Sequence, residues 1–177
     1  MSILVKNILR GILFMLVQVF VLDKIYLHQM VTPNLYFLFI LWLPFKMKRA
    51  WLMAIAYIYG FVLDSFQHNP GFHAAACVLI AYIRPFLVAL FIPQEGADTN
   101  FEEPSIKSMG GVIPYSIFTT VLCLFHNAWL FLLEAWQFGN VWYFLAKTIL
   151  STVISIVLII ITELIFVRKQ KFKTNTV

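Results

Sequence analysis

The chain has 177 residues, of which 62% are hydrophobic and only 12% are charged. A soluble domain of this size has too little interior for so much apolar surface, so the bilayer must solvate most of the chain. The net charge of +5 does not indicate nucleic-acid binding, because the basic residues flank hydrophobic segments and no soluble segment is long enough to form a binding module. We therefore expect one polytopic membrane domain over residues 1–177, in contact with membrane lipid.

Six hydrophobic segments predict six membrane crossings. In chain order they cover approximately residues 8–22, 33–45, 51–63, 72–92, 113–133 and 141–167. A helix needs about 20 residues to cross the hydrocarbon core, so the last three segments are long enough and the first three are short. No small-x-small cleavage site follows the first segment, which indicates an uncleaved span and not a signal peptide.

The second segment is short enough to be a re-entrant loop, and the distribution of charge decides between the two interpretations. With six crossings, ten of the 13 basic residues lie on one side, Lys24 lies on the other, and Arg84 and Lys147 lie within hydrophobic segments. The ten are Lys6, Arg10, Lys46, Lys48, Arg49, Lys107, Arg168, Lys169, Lys171 and Lys173. Cytoplasmic loops carry the excess of Lys and Arg. The pattern therefore predicts six crossings with both termini in the cytoplasm.

The longest polar loop, residues 93–113, contains an acidic stretch over residues 94–104. Its acids are Glu95, Asp98, Glu102 and Glu103. Acidic residues contribute little to orientation, so a cytoplasmic position is tolerated. The loop is either a solvated connector, which we favour, or a docking surface.

The densest polar sequence, residues 60–76, joins the third and fourth segments. Pro70-Gly71 predicts a turn, and Pro70 suits the start of the fourth helix. Gly60 lies one helical turn before Asp64, and Ala56 lies one turn before Gly60, a spacing that lets helix backbones approach closely. We predict a tightly packed hairpin in which Asp64 caps the fourth helix or binds backbone across the turn.

A catalytic interpretation would pair Asp64 with His68 or His73 as acid and base. No nucleophile and no GxSxG or HExxH frame accompanies them, so we predict no catalytic residues and no enzyme activity. Cys77 and Cys123 lie in hydrophobic segments without CxxC or Cys/His spacing, which favours inert packing residues and neither a metal site nor a cofactor.

Arg84 lies about 18 Å into the fourth segment at about 1.5 Å per residue. A charge at this depth needs a partner, and Glu163, about 6 Å inside the cytoplasmic end of the sixth segment, matches it best. Lys147 lies near the level of Asp64 and Glu134. We favour structural ion pairing for both basic residues over a transport site, because an ion path more often shows several acids near the midplane.

Residues 63–76, followed by Arg84-Pro85, resemble the rod shape-determining protein MreD family of bacteria. In that family a Gly-x-x-x-Asp pattern ends one span, as Gly60 and Asp64 do here. The resemblance implies a six-transmembrane-helix bundle similar to the S component of energy-coupling-factor transporters. It also implies a position in the bacterial cytoplasmic membrane.

Members of the MreD family are non-enzymatic scaffold proteins of the elongasome, the machinery that inserts side-wall peptidoglycan in rod-shaped cells. The implied partners are MreC by direct contact and, through it, the MreB filament, RodA and penicillin-binding protein 2. The residues predicted to act in structure or interaction are Gly60, Asp64, Pro70, Gly71, His73, Arg84, Pro85 and Glu163. Two alternatives remain: a vitamin-binding S component, with a polar and aromatic pocket under the outer loops, and a small enzyme of lipid metabolism.

Overall fold

A computed structural model describes residues 3–25, 31–91, 103–135 and 141–166. Within these ranges five helices are long and apolar enough to cross a membrane. They are α1 (Ile3–Phe20), α3 (Arg49–Gln67), α4 (Phe72–Phe91), α5 (Val112–Glu134) and α6 (Val141–Ile165), and a one-turn helix, α2, covers Leu38–Leu41. The prediction of an all-α chain with helices suited to a membrane is confirmed, whereas the predicted sixth spanning helix is not.

The predicted second span is a buried segment that is mostly not helical. Every residue over 33–43 is buried, and Tyr36, Phe37, Leu38 and Ile40 have no exposed surface. Only α2 is helical within it. Residues 33–43, called here the buried segment, therefore form the centre of the core around which the long helices pack.

The buried segment runs antiparallel to α1. Gln18 binds the backbone at Pro33 and Leu35, whereas Arg10 lies over the ring of Trp42, 5.1 Å from its centroid. As residue numbers rise along the segment, the contacts move back towards the start of α1. The segment therefore returns the chain to the end of the bundle where α1 begins.

Three helix ends meet at the side of the bundle where α1 begins. Glu103, which precedes α5, forms ion pairs with Arg10 at 2.7 Å and with Lys6 at 3.7 Å. Near the end of α6, Glu163 accepts hydrogen bonds from Trp42 and Tyr115. The start of α1, the start of α5 and the end of α6 are therefore neighbours.

The acidic stretch is described only at its end, since residues 94–102 lie outside the described ranges. Glu103 is 9% exposed and binds two basic residues of α1. At Glu103 the favoured interpretation of a solvated connector is therefore wrong. Its carboxylate attaches the loop to the bundle because two cations on α1 face it.

Candidate functional site

Asp64 caps helix α4 from the neighbouring helix. One carboxylate oxygen accepts the backbone N–H of His73 at 3.0 Å, and the other accepts that of Ala74 at 2.9 Å. The first N–H groups of a helix have no partner within the helix, so the carboxylate satisfies two of them. Asp64 is 2% exposed and His73 is 3% exposed. The predicted cap is confirmed.

The imidazole of His73 completes this cap. Its Nδ1 lies 2.8 Å from the Asp64 carboxylate oxygen that also binds the His73 backbone. A carboxylate only accepts hydrogen bonds, so Nδ1 carries the proton of this bond. The exposed side chain of His68 is not part of the cap; His68 instead ends α3 in the left-handed conformation, with φ 56°.

At Gly60 the backbones of α3 and α4 lie against each other. A β-carbon at this position would lie 2.5 Å from the α-carbon of Ala74 and 2.7 Å from the carbonyl oxygen of His73. No real side chain occupies such a space, so only glycine allows the two backbones to touch here. In the turn, Pro70 is exposed and Gly71 has φ 96°, a conformation that favours glycine.

Arg84 binds the backbone at the end of the buried segment. Its Nε donates to the carbonyl of Leu41 at 3.3 Å, and its Nη2 donates to the carbonyl of Leu43. Leu41 is the last residue of α2 and Leu43 follows the helix. Carbonyls at a helix end have no N–H donor from a further helical turn, so the guanidinium supplies donors that the backbone lacks. Pro85 follows inside α4 and removes one helical N–H next to Arg84.

The prediction of an Arg84–Glu163 ion pair is wrong, because no such pair is present among the described residues. The Glu163 carboxylate accepts from Nε1 of Trp42 at 3.0 Å and from the hydroxyl of Tyr115. The two side chains lie at a similar depth, as predicted, because both bind residues 41–43. Each binds the buried segment, and they do not form an ion pair with each other. Lys147 forms an ion pair with Glu134 at 2.7 Å, which confirms the predicted level of Lys147 near Glu134.

Side chains of α1 and α6 bind the backbone at the beginning of the buried segment and at the residue that precedes it. Ser155 accepts the N–H of Asn34 at 2.9 Å, and Ser151 accepts the N–H of Thr32 at 3.1 Å. Gln18 accepts the N–H of Leu35 and donates to the carbonyl of Pro33. Irregular backbone inside a membrane protein is tolerated only where such partners replace water.

A second layer of polar side chains lies beside this backbone. The hydroxyl of Tyr36 is 2.7 Å from Nε2 of His126. Asn34 donates to Asn127 at 3.0 Å, and Asn127 donates to Thr152 at 3.1 Å. These side chains satisfy one another in the core and so fix the position of the segment. Our sequence reasoning missed them.

One sequence signal could have revealed the α6 contacts. Thr148, Ser151, Thr152 and Ser155 recur at helical spacing, so they share one face of an otherwise apolar helix. All four are buried. Hydroxyls aligned on one face of a membrane helix indicate a polar partner across that face.

No family model, curated protein or solved structure matches this chain. Likewise, among the described residues, no three His, Cys, Asp or Glu side chains are grouped so that they could hold a metal ion. The side chains described above supply hydrogen-bond donors and acceptors that hold backbone in a fixed arrangement. The resemblance to MreD stays a prediction that rests on residues 60–85.

Proposed function

We propose that this protein is a non-enzymatic membrane scaffold of the cell-wall elongation machinery in rod-shaped bacteria, a member of the MreD family that binds MreC. Through MreC it contacts MreB, RodA and penicillin-binding protein 2. The observation that carries the proposal is that residues of the MreD-like motif make contacts within the bundle. Gly60, Asp64 and Arg84 all bind or contact backbone of the same chain. A scaffold needs residues that maintain its shape, and these residues do so.

Burial at the hairpin tip favours the scaffold over a vitamin-binding S component. Asp64 and His73 would have to face a ligand pocket in the transport alternative. Their side chains are 2% and 4% exposed, and the carboxylate is occupied by the α4 cap. The centre of the bundle is filled by the buried segment, with His126 stacked on Phe37 at 4.7 Å.

We further propose that the chain crosses the bacterial cytoplasmic membrane six times, with both termini in the cytoplasm. In this arrangement the buried segment is the second crossing. Its antiparallel course beside α1 supports this, because it places Lys46, Lys48 and Arg49 at the same end as Lys6. The distribution of basic residues agrees with a cytoplasmic position for that end.

Depletion of the protein in a rod-shaped host tests the function. We expect rods to become round and a plasmid copy of the chain to restore them. Added nutrients should not restore them, because no nutrient replaces a missing protein contact. A tagged copy should retain a single-span membrane protein during purification in gentle detergent. Recovery of rod shape on excess vitamin alone would instead support the S component, since a substrate binder only raises uptake.

A further inference from the structure

An open groove of about 990 Å³ runs along the outer face of α3 and α4. Its walls are aromatic, with Tyr57 on α3, Tyr82 on α4 and Trp129 on α5, and small residues such as Gly71 and Ala75 form its floor. The distance from Gly71 to Tyr82 is about 16 Å at about 1.5 Å per residue. That length suits an acyl chain that lies along the helices from the Tyr82 end towards Gly71.

One end of this groove is positively charged. The guanidinium of Arg49 lies 4.7 Å from the ring centroid of Tyr82, which lines the groove, and 4.3 Å from that of Phe86. Lys46 and Lys48 precede it and are exposed. Within the described ranges, none of these three cations lies within 4.0 Å of a carboxylate. No carboxylate of the described residues therefore neutralises the positive charge at this end, which can attract an anion.

We propose that the groove binds an anionic phospholipid. Its phosphate contacts Arg49 and the two lysines, and one acyl chain lies over Ala75 between the aromatic walls. Charge complementarity favours this occupant over the helix of a partner, because an apolar helix carries no anion at the depth of Arg49. The proposal does not depend on the scaffold function, since it rests only on the groove and its charged end.

Native mass spectrometry of the purified full chain tests the proposal with phosphatidylglycerol and phosphatidylcholine of equal acyl chains. We expect tighter binding of phosphatidylglycerol. Arg49→Gln should weaken that binding about fivefold, the effect of one basic residue near a membrane surface, and should change phosphatidylcholine binding much less. Lys107→Gln is the matched control, because Lys107 is an exposed cation that does not line the groove.

Ala75→Phe tests the acyl-chain part by filling the floor of the groove. It should weaken phosphatidylglycerol binding, whereas Val153→Phe, on the exposed face of α6, should not. If Arg49→Gln and Lys107→Gln weakened phosphatidylglycerol binding equally, the lipid would be attracted by the overall positive charge and not by a specific site, which would overturn the proposal. Loss of a co-purified protein from Ala75→Phe with unchanged lipid binding would assign the groove to a helix and also overturn it. If Ala75→Phe fails to fold, the comparison of Arg49→Gln with Lys107→Gln decides.

Discussion

A β-carbon on Gly60 would lie 2.5 Å from the α-carbon of Ala74. The two residues come from helices α3 and α4, so their backbones are in direct contact. This contact positions the start of α4 beside Asp64, whose carboxylate then caps it. Close packing and capping at the hairpin tip therefore depend on each other.

Gly60→Ala should destabilise the protein by about 1–3 kcal/mol, the usual cost of overpacking a core. The obstacle is backbone, which cannot move without separating the helices. Gly11→Ala is the control, since the atoms nearest to its β-carbon would belong to the side-chain ring of Phe39, at 3.2 Å and beyond. Unfolding in mixed detergent measures both. Equal stability of the two variants would contradict the packing argument.

Asp64→Ala should cost about 1–2 kcal/mol, the loss expected when a helix cap is removed. Asp64→Asn should lie between the alanine variant and the wild type, because its amide keeps one acceptor oxygen. Ser65→Ala serves as the neighbouring control, since the Ser65 hydroxyl binds only the Phe61 carbonyl on an exposed surface. Thermal unfolding in detergent gives the order, and a neutral Asp64→Ala would disprove the cap's contribution.

Arg84→Met should destabilise strongly, by about 1–3 kcal/mol for each carbonyl left without a donor. Arg84→Lys should cost less, since an ammonium group retains some donors, but it should not equal the wild type. The control is Lys147→Met, which removes a partly exposed ion pair worth about 0–1 kcal/mol. Chemical unfolding compares the three. If Arg84→Lys were fully stable, charge alone would explain the role of Arg84.

Ser155→Ala should destabilise the protein and Thr148→Val should not, although both remove a buried hydroxyl from α6. Ser155 accepts the N–H of Asn34, so its loss should cost about 1–3 kcal/mol. The Thr148 hydroxyl has no partner within the described ranges, so valine should be neutral or stabilising. The same unfolding assay measures both variants. A destabilising Thr148→Val would indicate a partner for that hydroxyl.

Reporter fusions test the proposed topology. Fusions truncated after Lys48, after Met109 and at the C-terminus should be active only as cytoplasmic reporters, and a fusion after Asn69 only as a periplasmic one. The reason is that the buried segment returns the chain to the end where α1 begins. A periplasmic signal after Lys48 would mean that the buried segment does not cross.

The hairpin tip could be predicted from sequence because its interactions are local. Gly60, Asp64 and Pro70-Gly71 lie within eleven residues of one another along the chain, so helical spacing and turn chemistry suffice to predict a close hairpin with a cap. The long helices were predicted for a similar reason, since length and hydropathy are properties of each segment alone. Only their ends differ, as in α3, which extends to Gln67.

The buried segment could not be predicted in the same way. Its apolar residues are equally suited to a short helix or to irregular core backbone. The difference lies in partners far along the chain, such as Ser155 for the N–H of Asn34 and Arg84 for the carbonyl of Leu41. The same limit explains the wrong pairing of Arg84 with Glu163, which rested on their similar depth. Depth alone does not show that the guanidinium of Arg84 donates to backbone carbonyls of the buried segment.

These distant partners impose an order on the biogenesis of the protein. Residues 32–43 leave the ribosome well before Arg84, Ser151 and Ser155 have been synthesised, yet those side chains satisfy their backbone. Lipid offers no hydrogen bonds to replace them. The segment must therefore wait at the translocon, in water at the interface, or as a transient helix until α6 has inserted. In a chain stalled before residue 151, reaction of residues 33–43 with a water-soluble probe would indicate that the segment waits in water or at the translocon, whereas protection would indicate a transient helix.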